Sequence, residues 1–340
     1  MRKYALIPGI LAVLVCLLAG TWAYLTRDDL ITAARKDNLL CVEVQLARGA
    51  NVNAKDHDGS TALMEASDRW FSDNLDVVQV LIAKGADVNA IDNNGVTALM
   101  MASRSGHLDV VQALLANGAD VNYKGIGDET ALTIASQDCD TDIVQVLIAQ
   151  GANVNGTALV NASEGGCVGI VQALITHGAD VNAVITRDND GRTALIEASR
   201  KGHLNVVQAL LAKGANINAK TTNFGESALI AASEEDHLDV VQALLAKGAE
   251  INAKTSINPD SDFVQFAASQ GIDLIRSESD GTTALILASR GGYLDVVQVL
   301  LAKGADVNSR ANDGGTALDA AKAGGHADVA TLLIKAGAKE

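Results

Sequence analysis

One motif, repeated eight times, constrains this chain more than any other feature. It opens with Thr-Ala-Leu (Ser-Ala-Leu once), runs on for about twenty residues and closes with Gly-Ala-Asp/Asn/Glu-Val/Ile-Asn. One copy reads TALMMASRSGHLDVVQALLANGADVN, from Thr97 to Asn122. The glycines of the closing segment are Gly49, Gly85, Gly118, Gly151, Gly178, Gly214, Gly248, Gly304 and Gly337, separated by 36, 33, 33, 27, 36, 34, 56 and 33 residues. A period centred on 33 predicts a stacked array of small units. That shifts the expectation from a compact enzyme domain to a binding scaffold.

Within a unit the apolar residues fall at helical spacing. Leu108, Val111, Leu114 and Leu115 form one predicted stripe on a second helix, and Leu99 and Ala102 do the same on a first. Small residues at Ala102 and Ser103 allow close helix approach. Thr97 is an expected N-cap, its hydroxyl accepting from an orphan amide. Gly118 follows the second helix, where a left-handed residue is expected. The end units differ, as capping requires. The first, near Asp29–Arg48, lacks Thr-Ala-Leu, and the last carries no further hairpin after Lys335, so it is expected to cap the array.

Four elements recur in fixed order: Asp-x-x-Gly, Thr-Ala-Leu, Gly-His-Leu-Asp-Val-Val-Gln and Gly-Ala-Asp-Val-Asn. Asp92, Gly95, Thr97, Leu99, Gly106, His107, Leu108, Val110, Val111, Gly118, Asp120 and Asn122 show the set in one unit. This pattern resembles the ankyrin repeat over roughly residues 28–340. The resemblance implies an all-α repeat solenoid of about nine units, each a β-hairpin turn plus two antiparallel helices. The family's Pro is Ala in every copy here, and its His is replaced by Met, Thr, Val, Ile or Asp. Alanine favours helix, so the fold expectation stands, while the hydrogen bonds of that His are not expected.

The net charge is −15, or −17 without Arg2 and Lys3. Such a surface repels nucleic acid and anionic lipid, so neither is an expected partner. Four cysteines are present: Cys16, Cys41, Cys139 and Cys167. Equivalent atoms of stacked repeats lie roughly 10 Å apart, beyond the ~7 Å Cα limit of a disulfide, so no structural disulfide is expected. Cys41 takes a Val position and is expected to be buried.

The first 27 residues bear on the compartment. Arg2 and Lys3 precede an uncharged stretch, of which Ala5–Leu25 spans 21 residues. As a helix this is about 31 Å long, enough to cross a hydrocarbon core. Trp22 and Tyr24 are expected interface anchors, and the positive-inside rule puts the repeats on the far side. A signal peptide cleaved after Ala23 is the alternative. Either way residues 28–340 are exported. The near-identical copies resemble bacterial ankyrin proteins, which implies an inner-membrane anchor with periplasmic repeats, or a periplasmic or secreted form.

Departures from the regular array point to function. Arg69–Asp73 lengthens one turn and brings Trp70 and Phe71, candidate hot spots if exposed. The hairpin at Gly156–Thr157 has lost six residues, and the one before Thr193 gains three around Val184–Arg187. The largest departure is an insertion at about 255–278. Pro259 and Asp260 suit a helix start and Gly271 a stop, with Phe263, Phe266 and Ala267 on one face. It reads either as a partner-binding protrusion or as a degenerate repeat packed on its neighbours.

The resemblance implies recognition through hairpin tips and first-helix ends. The corresponding candidates are Asn93, Asn94, Val96, Tyr123, Lys124, Ile126, Arg192, Phe224 and Glu226 at the tips, with His57, Asp58, Asn189 and Asn223 beside them. Arg104, Arg200, Lys201, Glu234, Glu235 and Arg290 stand at the helix ends. The helix-end charges alternate in sign, which would register a mixed-charge partner or pair neighbouring repeats.

Signals for catalysis are poor. His-Glu-x-x-His, Gly-Lys-Ser/Thr and Gly-x-Ser-x-Gly are missing, and Gly125-Ile126-Gly127 lacks a third glycine. Four of six histidines, His107, His203, His237 and His326, sit in the Gly-His turn, a structural place. No metal or cofactor is expected, and the chain is expected to be a monomeric scaffold for an unknown protein. A client-protecting envelope factor, a secreted effector and an enzyme built on the insertion are the other readings.

Overall fold

The computed structural model describes residues 29–68, 75–185, 190–270 and 280–339. Residues 1–27, Trp70, Phe71, Asn189 and the end of the insertion therefore lie outside the described residues. The chain divides into two compact units, Met1–Asn153 and Val154–Glu340.

In the first unit four helix pairs follow one another. They are α1 (Leu30–Arg35) with α2 (Leu39–Ala47), α3 (Ala62–Ser67) with α4 (Leu75–Ala83), α5 (Ala98–Arg104) with α6 (Leu108–Ala116), and α7 (Ala131–Gln137) with α8 (Thr141–Ala149). Helix α1 starts where the Asp29 carboxylate accepts from Thr32 N, and the other three first helices start where a threonine hydroxyl takes an otherwise orphan amide. Thr97 Oγ1 accepts from Met100 N at 3.3 Å, and Thr130 Oγ1 accepts from Thr133 N at 3.1 Å. Second helices end at a glycine of positive φ, +87° at Gly118. The core of α6 is Val110, Val111 and Leu114. Leu108 and Leu115 are only half-buried, so the predicted stripe is shifted. The helix packs against both its own first helix and the second helices of its neighbours, which centres burial between those contacts.

In the second unit come α9 (Ala158–Glu164) and α10 (Val168–Thr176), then a short antiparallel pair β1 (Val184–Ile185) and β2 (Arg192–Thr193). The pairs α11 (Ala194–Arg200) with α12 (Leu204–Ala212) and α13 (Ala228–Glu234) with α14 (Leu238–Ala246) follow. After helix α15 (Asp262–Ser269) come α16 (Ala284–Gly291) with α17 (Leu294–Ala302), and α18 (Ala317–Ala323) with α19 (Ala327–Lys335). Nine pairs and α15 thus make up the helices of the described residues. The shortened hairpin leaves a trace at Thr157, which lies in the right-handed helical region and makes no side-chain cap.

Repeats fasten to one another through backbone atoms. The closing asparagine of one repeat accepts from an amide of the next: Asn53 from Asp87 at 2.8 Å and Asn89 from Asp120 at 2.8 Å. In the second unit Asn182 accepts from Asn216 at 2.8 Å and Asn218 from Glu250 at 2.9 Å. In the first unit the same side chains also donate to the next repeat's glycine carbonyl, Asn53 to Gly85 at 3.2 Å and Asn89 to Gly118 at 2.9 Å. A second fastening uses the turn histidine. His203 Nε2 donates to Glu164 O at 2.9 Å, His237 to Arg200 O at 2.9 Å and His326 to Arg290 O at 3.0 Å. Each satisfies a carbonyl that the preceding repeat's first helix leaves open at its end.

The insertion does not interrupt this ladder. Asn252 accepts from Asp306 N at 2.9 Å, 54 residues on, and Lys254 Nζ donates to Arg310 O at 2.8 Å. The hairpin closes as though the insertion were absent: Lys254 pairs with Thr283, and Thr255 N donates to Thr282 O at 2.9 Å. Between these two residues the described part of the insertion carries α15.

The cysteines correct one expectation. Cys41 is buried, as expected, and forms no disulfide, but Cys139 in the first unit and Cys167 in the second are each disulfide-bonded. The spacing argument compares equivalent positions. Cys139 holds the turn's glycine place, with φ 63°, whereas Cys167 holds the histidine place.

Two predictions follow from the fastening. An alanine at Gly202 or at Gly214 must take a positive φ, 73° or 86°, which costs about 1–2 kcal/mol in either case. At Gly202 the new methyl would also fall 2.5 Å from His237 Nδ1, while nothing lies within 4 Å at Gly214. Gly202→Ala should therefore cost about 1–3 kcal/mol more than Gly214→Ala in urea unfolding, and equal losses would contradict the contact. Replacing residues 257–279 by two glycines should leave the helical circular dichroism per repeat unchanged and shift the melting temperature by a few degrees at most. A collapse of helix signal would show that the insertion belongs to the stack.

Candidate interaction face

The side chains of the hairpin tips and first-helix ends divide into two sets. One set is engaged in holding repeats together. Asn93 Nδ2 donates to His57 O at 3.1 Å. Asp92 Oδ1 accepts from both Asn94 N and Val96 N, at 2.9 and 2.7 Å, and shapes that turn. Lys201 Nζ lies 3.6 Å from Glu164, and Arg35 reaches Glu65 at 2.7 Å and Asp56 at 3.3 Å. The alternating charges of the helix ends are thus paired between neighbours at these positions.

The densest charge network lies in the second unit. Glu197, on α11, is 1% exposed. Its carboxylate stands 3.3 Å from Arg192 Nη1 and 3.8 Å from Arg200 Nε. Arg200 Nη2 lies 2.5 Å from Glu226 Oε2, and Asp190 is 3.8 Å from Arg192. Three sequence candidates, Arg192, Arg200 and Glu226, are therefore brought together, with Glu197 added, a residue that sequence reasoning passed over. Its signal was a glutamate inside a first helix at a place where five of the other seven copies carry small or apolar residues, Glu65 and Asn161 being the exceptions. Burial pushes the Glu226 carboxyl above its ordinary value, with the Arg200 charge and hydrogen bond opposing. Its Oε1 is buried without a protein donor, as is Asn223 Oδ1. Burial also works against the Arg200 charge, but Glu226 holds that guanidinium above its usual range.

The other set faces solvent. Ile126 is 72% exposed on a single 3₁₀ turn, Ile126–Asp128. Lys124 is exposed and lies 3.4 Å from Asp128, and Tyr123 is half-buried. Arg104, Glu234 and Glu235 are exposed, and Arg290 is half-buried. Arg104 opposes a burial-driven rise in the pKa of Asp68 one repeat back. Arg290 also lines an open recess of about 330 Å³ with Asp313, Asp319 and Ala323. Phe224, half-buried at its tip, meets Phe263 of the insertion edge-to-face, ring centroids 5.7 Å apart. Phe263 and Phe266 are 47% and 65% exposed. Among the described residues no group of three or more His, Cys, Asp or Glu could hold a metal ion, and no helix is long and apolar enough to cross a membrane.

The pKa of Glu226 gives a test of the network. A carboxyl raised in the fold binds its proton more tightly folded than unfolded. Its contribution is most favourable at low pH and falls as pH rises from about its ordinary value of 4.5 through the raised one. Urea midpoints of Glu226→Gln relative to the native chain should therefore improve as pH rises from 4 to 7. A constant difference would mean that the carboxyl is not shifted by burial.

Comparison with known proteins agrees with this architecture. The family model described as Ankyrin repeats (3 copies) matches residues 30–125, 124–185, 184–255 and 256–340. No curated protein matches the chain. Ankyrin repeats generally mediate protein–protein interaction, and the family is typically a non-enzymatic scaffold. The matched segments cover nearly all of the chain from residue 30 onward, and the chain belongs to the ankyrin repeat family.

Proposed function

We propose that this chain is a protein-binding scaffold exported across a membrane, with the hairpin-tip and first-helix face as its binding surface. The observation that carries the reading is a division of labour. The groups that fasten repeats recur almost unchanged, whereas the tips differ: His57-Asp58, Asn93-Asn94, Lys124 to Ile126, Thr222 to Phe224. A tip that supplies no fastening is free to fit a partner, and this is where binding residues concentrate on a rigid frame.

Export is supported by two features. Arg2 and Lys3 precede the 21-residue apolar stretch Ala5–Leu25, the pattern of an anchor or a cleavable signal peptide. Cys139 and Cys167 are disulfide-bonded, which fits an oxidising compartment. In this reading residues 1–27 tether or export the chain, and the repeats lie on the far side. The net charge of −15 disfavours nucleic acid as a partner.

The test is a reporter fusion combined with capture. Alkaline phosphatase fused after Lys339 should be active and a cytoplasmic reporter inactive; the reverse pattern would overturn export. Affinity capture from the native envelope should recover a protein that is lost with Ile126→Asp and Arg104→Glu together, while Gln208→Glu on a second helix retains it. Capture indifferent to the tip changes would contradict the assigned face. If the captured protein is an enzyme whose activity falls in a deletion strain at constant transcript level, the scaffold acts by protecting its client.

A further inference from the structure

The first repeat is buried on a side where it should be most open. Among the described residues α2 packs on α1 and α4, whereas an inner second helix such as α6 packs on its own first helix and on a second helix to either side. Fewer neighbours should leave the solvent side of α2 barer, and the opposite holds. Val44 is 4% exposed, while Val80, Val146 and Val299, the valines at the same place in later repeats, are half-buried. Glu43 is half-buried where Gln112 and Gln298 are exposed.

The sequence departs from the repeat on the same side. Leu40 stands where the other second helices carry Asp, Asn or Gly, as at Asp109 and Asp295. It is half-buried where those two are exposed. Leu40 and Val44 are one turn apart and share a side. Leu40 covers part of Val44, but Leu40 and Glu43 need cover of their own. The chain ahead of Asp29 can supply it. Residues 36–38 join α1 to α2, and so short a connection makes the two helices antiparallel. The start of α1 therefore lies beside the end of α2, close to Val44. Leu25 is four residues before Asp29, a reach of about 13 Å, against the roughly 8–10 Å between packed helices.

We propose that the end of the apolar stretch, Trp22 with Leu25, seats on the Leu40–Val44 side of α2 and completes the first repeat. The segment then has a role in the fold beside any role in export: it ties the array to whatever residues 1–21 are inserted in, and cleavage after Ala23 would take Trp22 from the contact. The contact does not depend on export.

The experiment places a diazirine amino acid at Leu40 of the full chain, purified in detergent as a mixture of isotopically light and heavy chains. Illumination should join position 40 to the peptide that holds Trp22 and Leu25 of the same chain, and a diazirine at Asp109 should not reach that peptide. Adducts to detergent alone, or between light and heavy chains, would overturn the proposal. Amide hydrogen exchange on the full chain is the second readout. Trp22→Ser with Leu25→Ser should speed exchange in α1 and α2 about tenfold, the factor for one lost buried apolar side chain, and leave α5 and α6 unchanged. Leu40→Asp should do the same and add nothing to the first pair of changes, while Leu11→Ser should alter neither region. Unchanged exchange in α1 and α2, or additive effects, would overturn the contact. Reporter fusions that contradicted export would leave both readouts standing, so a failed contact and a failed export reading give different results.

Discussion

Everything in each unit depends on how one repeat grips the next through main-chain atoms. The asparagine that closes a repeat accepts from an amide and donates to a carbonyl of its neighbour, as Asn89 does with Asp120 and Gly118. Both partners are backbone, so the grip does not depend on which side chains the neighbour carries. The turn histidine adds a second grip on the open end of the preceding first helix. A single repeat buries too little to stand alone, and these neighbour interfaces supply the rest. The same logic explains the turn glycine: a side chain at Gly166, Gly202 or Gly292 would overlap the histidine ring of the next repeat. Where the next repeat carries Tyr293 instead, the glycine place holds Asp236, at φ 60°.

Because the grip is local, large changes between repeats are absorbed. The insertion leaves after Thr255 and returns at Thr282, two residues joined by backbone and side-chain hydrogen bonds, while the asparagine ladder passes from Asn252 to Asp306. The array can therefore carry a helix that its neighbours do not need. The charges are less free. Arg192, Glu197, Arg200 and Glu226 form a buried network that ties the β1–β2 hairpin and α11 to the next hairpin. Burial raises the Glu226 carboxyl there, so those charges serve the scaffold.

The period and the caps were plain in the sequence because each rests on short-range chemistry. Thr97 capping Met100 and the left-handed Gly118 needed only local residues to be read. The insertion helix was legible in outline from Pro259, Asp260 and the Phe263–Phe266 spacing. What was not legible depended on contacts between repeats. The closing asparagine looked like part of a consensus, and only the fold shows that its side chain reaches the following repeat. The charged helix ends could be read as a mixed-charge surface or as pairs between repeats, and the fold pairs Lys201 and Arg200 with acids one repeat away. The disulfide state of Cys139 and Cys167 was missed because spacing was reckoned between equivalent turn positions. The N-terminal apolar stretch, Trp70 and Phe71 lie outside the described residues, and export rests on the sequence pattern and the two bonded cysteines.

The most direct test of the account is site-specific photo-crosslinking in living cells. A photoreactive residue at Asn94 or Ile126 would be compared with one at Gln112, Gln208 or Gln298 on the second helices. The account predicts a crosslinked protein adduct at the tip positions and none at the glutamines. Adducts confined to the second helices would contradict it and place recognition on the opposite side of the repeats.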